Sequence, residues 1–119
     1  MADKKLAMLI QRLHEKTNES KISWEKTAEE DAFQVSFSDY SVVISKNALP
    51  LAVTEIKLTI VNQNGEVVDE ITSSSSPLFK TERGDDYLFQ DMTALHHHAR
   101  RSAMGIEKAV DSLLSALAD

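Results

Sequence analysis

DYLFQDMTALHHHARRSAMGIEKAVDSLLSALA, residues 86–118, is the stretch whose reading decides the architecture. Nothing in it forbids a helix. Leu88, Met92, Leu95, Ala99, Ile106, Val110, Leu113 and Leu117 recur at steps of three, four or seven, the spacing of one helix face. A straight helix of 33 residues runs about 50 Å at 1.5 Å per residue. A compact domain of 119 residues is only ~35 Å across, from a radius of gyration near 13–14 Å. The excess must kink, project or pack on another chain. Beside the large apolar face runs a stripe of small residues: Ser102, Gly105, Ala109, Ser112 and Ala116. A glycine inside a helix costs about 1 kcal/mol relative to alanine. The stripe therefore reads as a seam for close approach by another backbone, from a second copy or from the same chain. A kink at Met104-Gly105 is the third reading, and it also resolves the length.

Working back from the helix, Ser73-Ser74-Ser75-Ser76-Pro77 interrupts a run of period-two patterning and is expected to leave the sheet and cross its end. Leu78 and Phe79 are expected to pin that crossing, with Gly84 ending it and Asp85 or Asp86 capping the helix. Before the serines, Val67–Thr72 returns from Asn64-Gly65, a pair that tolerates the positive φ values of a type I′ hairpin turn. Ile56, Leu58 and Ile60 alternate on the strand before it. Asn47–Pro50 reads as a loop, Tyr40–Lys46 as a strand, Ser38-Asp39 as a tight turn, and Phe33, Val35 and Phe37 as a half-buried strand. Ile22 and Trp24 suggest a short first strand. Residues 3–18 read as an opening helix with Leu6, Leu9, Ile10 and Leu13 on one face, Asp3 as cap and Asn18 as terminator.

Connections this short support antiparallel neighbours only. The expected fold is α+β in two layers: an N-terminal helix, a four- or five-stranded antiparallel β-meander, and a long C-terminal helix packed on one sheet face. One domain over residues 1–119 is expected from the length. The buried sheet face should consist of Phe33, Val35, Phe37, Val42, Ile44, Ile56, Leu58 and Ile60.

Composition narrows the functional classes. The net charge of −6 argues against duplex DNA or an anionic membrane as the main partner. There is no cysteine, so disulfides and thiolate-ligated metals are excluded. Leu6–Ile10 is too short for a secretory core, and no segment is long enough to span a bilayer. These readings set the expectation of a cytoplasmic protein.

No nucleophile elbow, phosphate loop or dinucleotide fingerprint occurs. His96, His97 and His98 diverge by about 100° per residue on a helix and find no usual ligand at helical spacing. A metal there needs ligands from another element, such as His14, or from a second chain. No cofactor is expected. Arg100 and Arg101 are weak grounds for nucleic-acid binding. Paired acids such as Asp85-Asp86 and Glu29-Glu30-Asp31 fall where caps and polar loops belong. Trp24 and Tyr40 are the candidate ligand-stacking aromatics, set against ordinary packing in strands.

The expectation is a non-enzymatic protein–protein interaction module acting as a homodimer, with a protein or peptide as further partner. The alternative is a small-ligand or metal-binding protein, enzymatic or not, with a pocket between helices and sheet. The candidate binding and interface residues are Trp24, Tyr40, His98, Arg101, Ser102, Gly105, Ala109 and Ser112.

Overall fold

Antiparallel pairing of sequential neighbours builds the sheet. A computed structural model of the chain describes residues 3–75 and 85–118. Helix α1 (Asp3–Asn18) leads into strands β1 (Glu25–Lys26), β2 (Ala32–Ser36), β3 (Tyr40–Leu49), β4 (Val53–Asn62) and β5 (Val67–Ser75). Helices α2 (Asp85–Ala103) and α3 (Ile106–Ala116) follow. The strands lie in the order β1-β2-β3-β4-β5, each antiparallel to the next. The sheet is the expected meander, covered on one face by helices, so the two-layer α+β reading holds. Helix α2 packs across all five strands, and α1 packs chiefly on α2.

Period-two alternation puts Phe33, Val35, Val42, Ile44, Ile56 and Leu58 in the core. Ile10 and Leu13 from α1 join them, as do Met92, Leu95 and Ala99 from α2. Two members of the expected face differ. Phe37 is 48% exposed, because β2 ends at Ser36 and the chain turns there, the Phe37 N–H donating to the Tyr40 carbonyl at 2.7 Å. Ile60 is only half-buried, beside the register shift between Ile60 and Val61 that bends the ladder.

Strand limits depart from the sequence reading where backbone pairing outlasts side-chain pattern. Ile22 and Trp24 precede β1 rather than forming it. Asn47–Leu49 stay paired with Val53–Glu55, and the turn falls instead at Pro50–Ala52. Ser73–Ser75 do not leave the sheet. They pair with Ile56, Glu55 and Thr54, because a serine needs only its backbone to extend a ladder. The crossing expected at Ser76–Gly84, with Leu78 and Phe79, lies outside the described residues. So do the side chains of Asp3, Asp85 and Asp86, the expected caps.

Asn64-Gly65 closes the β4–β5 hairpin, but not as type I′. Gly65 alone has positive φ (83°), and Asn64 does not. The Gly65 N–H donates to the Asn62 carbonyl at 3.1 Å. Asn62 Oδ1 accepts from the N–H groups of Asn64 and Glu66. This is a three-residue loop with a left-handed final residue. A Cβ at Gly65 would meet nothing within 4 Å, so only backbone strain opposes a side chain. Gly65→Ala is expected to lose about 1 kcal/mol of stability, with Gly65→Asn losing less. Urea denaturation of both variants checks the order.

The long C-terminal helix is broken where the glycine falls. Gly105 sits at φ 67°, ψ 41°, between the end of α2 and the start of α3. Its N–H donates to the Ser102 carbonyl at 3.2 Å, and its own carbonyl accepts from Ala109 at 2.9 Å. A Cβ at Gly105 would likewise meet nothing within 4 Å. Glycine therefore serves the left-handed turn and not a close backbone approach. The small-residue stripe is split between two helices. The break does not fold α3 back over the core, for α3 has no buried residue. The principal extents are 54 × 38 × 25 Å, longer than a compact domain of this size.

Candidate functional site

The α2–α3 junction is the place where half of the nominated residues meet. A cleft of about 380 Å³ opens between the end of α1, the segment leading to β1, and the junction. His98, Arg101, Ser102 and Gly105 line it, facing Asn18 and Ser20. Lys108 and Glu107, from the first turn of α3, complete its rim. The volume suits a small ligand, but the cleft lies at the helix ends, not between helices and sheet. Ser102 also holds the fold together there, since its Oγ accepts from the Trp24 N–H at 3.0 Å.

The histidine run is divided by burial. His96 is buried, packs at 5.4 Å between ring centroids on Phe33, and donates from Nε2 to the Asp31 carbonyl at 2.8 Å. Burial lowers its pKa from the ordinary 6.5, against the raising effects of the Asp31 hydrogen bond and charge. His97 is exposed. His98 is half-buried, its ring centroid 4.8 Å from that of His14 on α1 and 5.4 Å from that of His97. Its pKa is lowered by burial first, then by His14, His97 and Arg101. The Nε2 atom of His14 is buried without a hydrogen-bond partner. Among the described residues no group of three or more acidic or imidazole side chains is placed to hold a metal ion.

The two nominated aromatics lie apart from the cleft. Trp24 is 3% exposed. Its indole N–H donates to Thr17 Oγ1 at 2.9 Å, and that hydroxyl donates to the Leu13 carbonyl at 2.6 Å. A ring so enclosed presents no open face for stacking; it ties α1 to the segment that leads into β1. Tyr40 is half exposed and lines a separate shallow hollow with Asp39, Asn62 and Gln63. Sequence reasoning missed Thr17, since nothing in the spacing of residues 17 and 24 announces a hydrogen bond between them.

The most unusual surface is α3 itself. Val110, Leu113, Leu114 and Leu117 are 46%, 60%, 62% and 78% exposed. Ala109 and Ser112 are exposed beside them. Among the described elements α3 packs chiefly on α2, at the junction. These four large apolar side chains lie on one side of an otherwise uncovered helix and form a patch of the kind that marks interaction sites. No described helix is long and apolar enough to cross a membrane.

Comparison with protein families, curated proteins and solved structures gives no match to the chain.

Proposed function

We propose that this chain is a non-enzymatic protein–protein interaction module that acts as a homodimer through the apolar face of α3. The single observation carrying the reading is that an amphipathic helix with no buried residue leaves Val110, Leu113, Leu114 and Leu117 in water. A second copy is the occupant that fits. From Ser112 to Ala118 the chain carries no charge, so two acidic chains meet there without burying an ion or opposing their like charges. An isologous antiparallel pair sets leucines of one copy against Ala109, Ser112 and Ala116 of the other, and places the positive end of each helix dipole beside the negative end of its partner's. The small-residue seam then serves between copies, without Gly105.

Magnitudes set the strength. Full burial of a Val or Leu side chain contributes about 1.5–3 kcal/mol, and association costs about 4–15 kcal/mol. The surplus is small, and a dissociation constant of micromolar order is expected. Sedimentation from about 5 to 500 µM should show the mass rising toward two chains. Leu113→Glu with Leu117→Glu should hold the protein monomeric with an unchanged circular-dichroism spectrum. A wild type that stays monomeric throughout that range overturns the homodimer.

A second reading, a small-ligand protein, is favoured by the cleft that gathers His98, Arg101 and Ser102. Arg101 and Lys108 against Glu107 favour a small anion there. Phosphate or a dicarboxylate that raises the thermal midpoint of the wild type but not of Arg101→Gln supports it.

A further inference from the structure

We propose that the contact between His14 and His98 is an acid-released clasp, which holds α1 against α2 while the His98 ring is uncharged and lets it go when that ring takes up a proton. All four histidines of the chain fall on two facing helices, and two of them meet across the interface at 4.8 Å between ring centroids. Uncharged, the two rings pack as flat, weakly polar plates. Protonation of His98 places a cation against the His14 ring, at the edge of the cleft. The charged and titratable groups around His98 are His14 from α1, His97 and Arg101 from its own helix, and Glu107 and Lys108 of α3 across the cleft that it lines. Among the described residues no carboxylate stands within ion-pair distance of its ring. The buried Nε2 of His14 has no acceptor to receive a new proton. A half-buried imidazolium without a partner is disfavoured.

The sign follows from the site. The folded-state pKa of His98 lies below its ordinary 6.5. The stabilisation is complete above that value and is lost as pH falls through the folded-state pKa. His96 also resists protonation, but it faces Phe33, Asp31, Lys46 and Arg100, and its titration loads the α2–sheet contact instead of the α1–α2 contact. The clasp concerns α1 and α2 alone and is independent of what covers α3.

The chain carries its own reporter. Its single tryptophan, Trp24, donates its indole N–H to Thr17 on α1. Departure of α1 opens that indole to water and shifts its emission to the red. The full chain is titrated from pH about 8 to 4.5, spanning the ordinary histidine range, with Trp24 emission and far-ultraviolet circular dichroism followed together. The emission should shift while the sheet signal holds. His14→Gln and His98→Gln, checked for wild-type spectra at pH 8, should each move the emission midpoint down by about one pH unit. His97→Gln removes a neighbour that disfavours the charged form of His98 and should not move the midpoint down. In the wild type, proton NMR of the His98 ring should titrate with the same midpoint as the emission. This measurement decides the matter if a glutamine variant fails to fold. Coincident loss of emission and sheet signal, a midpoint unmoved by both glutamine variants, or His98 titrating with Trp24 unchanged overturns the clasp.

Discussion

Leu58→Ala is expected to destabilise the monomer by about 2–5 kcal/mol, whereas Leu113→Ala should change monomer stability by no more than about 0.5 kcal/mol. The residue type and the deletion are the same; only the surroundings differ. Leu58 is fully buried on β4, between Ile44 on β3 and Ile71 on β5. Its side chain cannot be removed without leaving a cavity under α2, since neighbouring strands are held by their own ladders. Leu113 is 60% exposed on a helix that buries nothing. Truncation there removes apolar surface that is already wet. Urea denaturation well below the concentration at which copies associate isolates the two monomer effects. The same Leu113→Ala variant should weaken self-association, so that its cost appears only as concentration rises. A Leu113→Ala loss as large as that of Leu58→Ala in dilute solution means that α3 is packed within its own chain.

Thr17→Val should cost about 1–3 kcal/mol while preserving side-chain shape almost atom for atom. Its hydroxyl is the acceptor for the Trp24 indole N–H and is itself bonded to the Leu13 carbonyl. Valine leaves the indole donor in a buried site without an acceptor, and the penalty is that of an unpaired group rather than of a lost bond alone. Thr17→Ser restores the acceptor and should recover most of the loss. Equilibrium unfolding followed by Trp24 emission measures both. A Thr17→Val variant as stable as the wild type means that water replaces the hydroxyl.

Where side-chain pattern and burial coincide, the chain declares its fold. Phe33–Val35, Val42–Ile44 and Ile56–Leu58 alternate because one sheet face is covered, and the same periodicity sets their register. Gly105 is legible as a discontinuity, though not as a left-handed one. What the pattern cannot carry is backbone pairing that needs no particular side chain. Ser73–Ser75 look like a linker and are a strand, because β4 continues opposite them. The amphipathic stripe of residues 86–118 carries no mark where coverage ends, since Met92 and Val110 obey the same spacing while one is fully buried and the other 46% exposed. The cleft residues His98, Arg101 and Ser102 are readable as polar neighbours on one helix, but their juxtaposition with Asn18 and Ser20 is set by how α1 ends and turns. The Thr17–Trp24 and His14–His98 pairs lie beyond any local rule, because they join different elements.

The hydrogen bond between His96 and Asp31 has a consequence for which nitrogen carries hydrogen. A carbonyl oxygen can only accept, so the neutral imidazole of His96 is held as its Nε2–H tautomer, with the lone pair left on Nδ1. Proton uptake can then occur at Nδ1 without breaking the bond to Asp31. His96 should accordingly show an Nδ1 nitrogen resonance of pyridine type and an Nε2 resonance of pyrrole type at neutral pH, where a freely exchanging imidazole gives averaged values. A ring locked in this way keeps the β1–β2 connection anchored to α2 in both of its charge states.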